Sequence, residues 1–396
     1  MIRLPFAALL LGLSASALAQ MPAHADVVAK IGVLVVERET PLPLSRLDLP
    51  PEDEALAGAR VGLIDNNTTG RFLKHTYELV EQSTDAAGLP AAMAGLAAEG
   101  VGMVVTVADA DALLAIADLP EAAEMLVVNA TASEDRLRGA DCRANVLHVA
   151  PSRAMIADGL AQYMVWKRWT DWLLVHGSHP EDALMAEAYR RAARKFGAEI
   201  VEERVFEDTG GARRSDSGHV LVQKQIPVFM QRAEEHDIVV VADESQVFGA
   251  YLPYRAWDPR PVAGDAGLVA SMWHASHESW GATQLQRRFE RETKRRMRDS
   301  DYLTWLAVRA IGEAVTRTNA SDPATIREYL LSDAFGIAGF KGQALSFRPW
   351  NNQLRHGVIL ADGKLVVTVS PQEEFLHQHT RLDTLGFDEP ESTCEF

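Results

Sequence analysis

The sequence predicts an α/β fold built from two successive units, and three observations carry that prediction. From Asp26 onward, short apolar runs of strand length alternate with longer stretches of helical spacing, the pattern of a mostly parallel sheet covered by helices. The alternation restarts after Pro151-Ser152. About 375 residues remain once a leader is removed, and a hydrophobic content of 47% supplies two cores rather than one.

In the first unit, residues 31–36 form a buried strand and residues 53–64 a helix. Asn66-Asn67-Thr68-Thr69-Gly70 has turn chemistry, and residues 77–80 open the next strand. Further strands follow at residues 103–107, 125–128 and 146–149, with helices between them. The second unit begins with a helix over residues 153–167, a strand at 172–176, a helix over 181–196 closed by Gly197, and a strand at 199–206. A charged, turn-rich stretch over 208–218 reads as a surface loop. It precedes a helix over 225–235, the strongly apolar strand 238–242 and a strand at 268–273. Helices over 285–297 and 302–317 and a third capped by Asp322 lead to a hairpin of 357–360 and 365–369 around Asp362-Gly363.

The N-terminus carries an export address. Arg3, an apolar run from Leu4 to Leu18 and the small-residue ending Ala17-Leu18-Ala19 make a signal peptide of residues 1–19. The run is too short to cross a bilayer, and no later segment is comparably long and uncharged. The formal charge of -16 becomes -17 when Arg3 leaves, which repels nucleic acid and favours solubility. Cys142 and Cys394 enter an oxidising compartment, where they either pair or stay as buried or tail thiols. There is no CxxC, GxSxG, P-loop, or GxGxxG after a strand, so neither an enzyme nor a cofactor is indicated.

Four passages carry a family resemblance: residues 56–70, 126–151 (LVVNATASEDRLRGADCRANVLHVAP), 172–197 and 302–331. In this order they resemble the type I periplasmic binding proteins of ABC transporters, the leucine/isoleucine/valine-binding group. The resemblance implies two lobes joined by three hinge crossings, near Val149, Ala270 and Phe347. Lobe one would hold residues 26–149 and 272–346, and lobe two residues 150–271 and 347–396. It further implies a periplasmic receptor that captures a small-molecule ligand and presents it to an ABC permease in the inner membrane. DNNTTGRF (65–72) and LDTLGFDEPESTC (382–394) resemble a subgroup associated with PQQ-dependent alcohol dehydrogenase systems. With Cys142 just before the first crossing and Cys394 in the tail, a disulfide would tie the tail near the hinge.

Ligands of open α/β sheets sit beyond the carboxyl ends of the strands, where loops converge. That rule selects Glu37 and Arg38, Asp109 and Asp111, and Asn129, Thr131 and Ser133 in the first unit. In the second it selects His176, Ser178, Asp243, Glu244, Trp273 and His274. The 129–133 loop matches the position from which amino-acid receptors bind their ligand's carboxylate; its other reading is a helix cap. Asp109 and Asp111 would repel such a carboxylate and speak against a standard amino-acid receptor. Glu37, Asp109, Asp111, Asp243 and Glu244 could instead converge on Ca²⁺ or a lanthanide, making the chain a metal or metallophore carrier or sensor. They could equally be solvated loop acids. His274 and His277 would share a helical face beside Glu278, without the spacing of a metalloprotease; packing of the corner by Trp273 and Trp280 is the plainer reading.

Overall fold

The computed structural model describes residues 26–38, 49–210 and 221–396. The leader therefore lies outside the described residues, as does most of the 208–218 loop. Two sheets organise the chain. The first contains β1 (Val27–Val36), β2 (His75–Thr84), β3 (Met103–Val107), β4 (Leu126–Asn129) and β5 (Val146–His148) in the order β2-β1-β3-β4-β5, all parallel. Between these strands run α1 (Leu56–Leu73), α2 (Leu89–Ala98) and α3 (Ala110–Ala117). Parallel strands bury both faces, which is why β3 and β4 are mostly apolar, with Thr106 and Asn129 as their polar members.

The second sheet has seven strands in the order β14-β13-β10-β9-β8-β6-β7. Its parallel part is β6 (Asp171–Gly177), β7 (Glu199–Phe206), β8 (Ile238–Ala242), β9 (Val262–Gly264) and β10 (Leu268–Ser271). The hairpin β13 (Val358–Ala361) and β14 (Val366–Ser370) adds two antiparallel strands at one edge. The helices are α4 (Arg153–Trp166), α5 (Pro180–Phe196), α6 (Val222–Phe229) and the short α7 (Leu252–Arg255). Then α8 (Ala282–Thr293), α9 (Asp299–Thr318) and α10 (Pro323–Leu330) return to the first sheet, followed by the small pair β11 (Ile337–Ala338) and β12 (Ala344–Leu345).

Four apolar clusters result, one on each face of each sheet. α1, α8, α9 and α10 cover one face of the first sheet, and α2 and α3 the other. α4 and α5 cover one face of the second sheet, and α6 and α7 the other. The α1–α9 contact is close enough that a Cβ at Gly58 would lie 1.9 Å from the Asp301 carbonyl oxygen. The chain passes between the sheets three times: at 149–152, after Ser271, and between Leu354, packed in the first core, and Val358, packed in the second. This third passage comes later than the Phe347 boundary read from the sequence, because Phe347 itself packs in the first core.

Three helices differ from the sequence reading in ways their contacts explain. α1 runs through the Asn66–Gly70 turn signal to Leu73, since the buried Asn66 amide donates to the Val308 carbonyl (2.9 Å) on α9 and the helix ends only at left-handed Lys74. α6 begins at Val222 and stops at Phe229, earlier than the 225–235 expectation. α8 ends at Thr293 rather than 297. Lys294 turns left-handed there, and Arg295 is drawn into ion pairs with Asp53 (2.9 Å) and Asp301 (2.6 Å).

Candidate functional site

The loops after β4 and β8 meet at the start of α4. Ser152 caps this helix by accepting from the Met155 amide (3.3 Å), and Asp135 accepts from the Ala154 amide (3.1 Å). Arg153 is the first residue of the helix, where the aligned peptide dipoles disfavour a cation. Two carboxylates compensate. Glu244, after β8, takes Nε and Nη2 of Arg153 in a bidentate pair (2.8 and 2.6 Å), and Glu134, after β4, stands 3.5 Å from Nη1. The guanidinium is only 6% exposed and thus joins an acid from each half of the molecule. Burial raises the Glu244 pKa against the pull of Arg153. Arg153 Nη1 and Glu134 Oε2 are buried with no hydrogen-bond partner among the described residues.

The floor beneath this group is acidic. Asp182 accepts from the Ser245 amide (2.9 Å) and hydroxyl (2.7 Å), and the Asp243 amide donates to Asp265 (2.6 Å). Burial pushes the Asp243 carboxyl up to about 6, with the charge of Asp182 adding to the shift. Behind it, buried Arg138 donates to the carbonyls of Ala132 (2.9 Å), Glu134 (3.1 Å) and Ala150 (2.7 Å), and to the Gln353 side chain (2.8 Å). The Gln353 amide donates in turn to the carbonyls of His148, Ala150 and Leu354. His356 donates to the Val149 carbonyl (2.6 Å). The first and third crossings are thereby laced together.

Few of the sequence candidates face this group with free polar atoms. Glu244 is one of its members, and the Ser133 carbonyl accepts from the Arg153 amide (2.9 Å). Asn129 is buried and fully used: its amide donates to the Ala132 carbonyl and His148, and its oxygen accepts from the Thr131 and Ala132 amides. Thr131 exchanges two bonds with Ala108 (2.9 Å each). Asn129 therefore spends its side chain on the shape of this loop, and Thr131 ties the loop to Ala108. Asp243 accepts from the amides of Val247, Phe248 and Gly249, so it organises its loop. His176 donates to the Gly177 carbonyl (2.7 Å) and lies 3.1 Å from Glu203, and Ser178 accepts from the Asp208 amide.

The proposed cation site does not assemble. Asp109 caps α3 by accepting from the Ala112 amide (2.8 Å), Asp111 pairs with Arg136, Glu244 is taken by Arg153, and Glu37 and Arg38 are exposed at the end of β1. Among the described residues no group of three or more His, Cys, Asp or Glu side chains is placed to hold a metal ion. The engagement of Asp109 and Asp111 also weakens the objection to a ligand carboxylate.

Trp273 and His274 lie elsewhere. With Pro51, Glu54, Asp299 and Lys364 they line a separate cavity of about 800 Å³. Trp273 is buried, stacks on Tyr302 at 5.0 Å and donates to Gln286 (2.7 Å). The two histidines do not share a helical face. His274 is bonded to Ser276 (2.7 Å), whereas buried His277 donates to the Phe340 carbonyl (2.8 Å). Arg153 escaped the sequence reading, although a cation directly after a Pro-Ser helix cap is itself a signal that carboxylates must be near.

Comparison with known proteins agrees with the architecture. A family model described as "Periplasmic binding protein" matches residues 51–216. A branched-chain amino acid ABC transporter periplasmic ligand-binding protein from Burkholderia xenovorans superposes with a TM-score of 0.67 at 16% identity, covering 86% of this chain and 95% of that one. The closed form of a leucine-, isoleucine-, valine-, threonine- and alanine-binding protein from Brucella ovis gives 0.69 at 13% identity, covering 93% and 98%. A solute-binding protein from R. palustris in complex with benzoate gives 0.63 at 12%, covering 93% and 100%. No curated protein matches the sequence. The fold is that of the type I periplasmic binding proteins.

Proposed function

We propose that this chain is the periplasmic substrate-binding component of an ABC importer, closing two lobes on a small carboxylate-bearing ligand, an amino acid or an organic acid. The observation that carries this reading is the Glu134–Arg153–Glu244 group. A buried guanidinium at the first crossing, flanked by an acid from each half, has one N–H side and one carboxylate oxygen left unsatisfied. A ligand carboxylate would satisfy Arg153 Nη1, and an ammonium group would satisfy Glu134. Binding between lobes then shifts the population toward the closed form that a permease recognises. Among the described residues no helix is long and apolar enough to cross a membrane, so docking to a separate permease is part of the proposal.

A place beside PQQ-dependent alcohol oxidation belongs to the proposal too, on the likeness of residues 65–72 and 382–394 alone. Stable capture of a quinoprotein dehydrogenase by the tagged protein is its test. The test of the main reading is a thermal-shift screen of the metal-stripped protein against amino acids, aliphatic and aromatic carboxylates, amines, Ca²⁺ and a lanthanide. A ligand at a hundred times its Kd stabilises by about 2.7 kcal/mol. The expected result is a shift with one carboxylate class that disappears in Arg153→Gln. Shifts with metal ions only, or a carboxylate shift untouched by that substitution, would overturn the reading.

A further inference from the structure

The C-terminal tail connects the lobes a fourth time. After β14 it packs Phe375 edge-on against Phe196 at the end of α5 (5.3 Å) and places Leu382 in the first core and Leu385 in the second. Buried Asp383 accepts from Arg348, ahead of the third crossing, and from Arg355 within it (2.8 Å each). The Gly386 amide donates to Asp158 on α4 (2.8 Å), and its carbonyl accepts from Arg191 and Lys195 on α5 (2.8 Å each). This is a firm anchor in the second lobe. Glu391 then pairs with Arg191 (3.2 Å), and Ser392 donates to the Trp350 carbonyl (3.4 Å). Finally Cys394 is bonded to Cys142, in the loop that precedes β5 of the first sheet.

Two chain paths therefore run side by side from Cys142 to Asp158. One is the main chain through β5, the 149–152 crossing and the first turns of α4. The other is the disulfide and residues 394 back to 386, held to Asp158 by the Gly386 amide. Together they enclose the crossing in a ring that is covalent except at its anchor.

We propose that the Cys142–Cys394 bond makes the tail a limiter of lobe opening: the oxidised protein swings through a restricted range, and the reduced protein opens further. The lobes rotate apart only by straining residues 386–394 or by pulling Gly386 off the Asp158–Arg191–Lys195 anchor. The inference is independent of what the cleft binds. Both cysteines are half-buried, within reach of a small dithiol. Reduction leaves two protein thiols and converts the dithiol to its own disulfide, two electrons and two protons passing to Cys142 and Cys394.

The test compares the oxidised protein, the protein reduced with dithiothreitol and alkylated, and Cys142→Ser/Cys394→Ser, by hydrogen exchange and small-angle scattering. Exchange should quicken by about tenfold or more in residues 146–152 and 352–357, with a larger radius of gyration, while β6 and β8 stay protected. Faster exchange confined to residues 387–396, with unchanged crossings and radius, would overturn the proposal and leave the bond a local staple. No change anywhere would overturn it equally. If the double variant does not fold, reduction of the already folded protein gives the same readout.

Discussion

Replacing Asp158 with asparagine should remove a large part of the stability of the second lobe. The carboxylate is fully buried on α4 and faces two cations on α5, Arg191 Nη1 at 3.0 Å and Lys195 Nζ at 2.8 Å, besides accepting from the Gly386 amide. Asparagine keeps the shape and one acceptor but leaves Lys195 without its carboxylate and Arg191 with Glu391 alone (3.2 Å). Breaking a buried pair from one side costs about 3–5 kcal/mol, against a total stability of about 5–15 kcal/mol for a domain. Urea unfolding at pH 7, followed by tryptophan fluorescence, measures it; the midpoint should fall while the slope with denaturant stays constant. Arg191→Met should cost less when made in the Asp158→Asn background, with a coupling of about 1 kcal/mol or more. A loss below about 1 kcal/mol, with an unchanged slope, would show that solvent screens the group and that the tail has no strong anchor.

Three further outcomes follow from the packing and the buried charges. Asp243 is buried and has a carboxyl pKa raised to about 6, so the folded state binds more protons than the unfolded one between about pH 4 and 6, and stability falls as pH rises through that window. Asp243→Asn should therefore gain on the parent as pH is raised from 4 to 8, by up to about 3 kcal/mol; parallel pH profiles of the two would contradict this. Buried His148 and His356 have pKa values held well below the ordinary range by burial, so their contribution is present above the unfolded pKa of about 6.5 and is lost progressively as pH falls from there toward the depressed folded values. His356→Gln should flatten part of the acid limb in a melting-temperature series, and an unaltered limb would count against it. Gly58→Ala drives a methyl into the Asp301 carbonyl across the α1–α9 contact, and should lower stability by about 2–3 kcal/mol in urea; a neutral result would mean that the helices can part.

The α/β architecture was legible because buried parallel strands are written as uninterrupted apolar runs. Ile238–Ala242 is wholly buried, and only a strand of that kind fits five such residues between polar loops. What misled was local polarity with a tertiary partner. The Asn66–Gly70 stretch reads as a turn until Val308 is known to accept the Asn66 amide, and β9 is too short, at three residues, to declare itself. The loops at the carboxyl ends of the strands were also legible. Which of their side chains stay free was not, because Asp109 and Asp243 accept from amides of their own loops and Asn129 divides its bonds between its loop and His148. Arg153 was hidden in an apolar helix start, and its partners lie 19 and 91 residues away in sequence.

The Arg138–Gln353 lacing constrains the sequences this fold can explore. Residues 146–150 and 352–356 run as one double-stranded bar, with His148 in register with Gln353 and the Asn352 amide on the Val146 carbonyl. Inserting or deleting a single residue in one strand of the bar would put the bonds of Gln353 to the His148 and Ala150 carbonyls out of step. Length change here is tolerable only in both strands at once, so homologues should differ in their surface loops while these two stretches keep a fixed spacing. Any pivot between the lobes is correspondingly pushed to the ends of the bar, at 151–152 and 356–357, the positions where a designer should place a glycine or a proline to tune the swing.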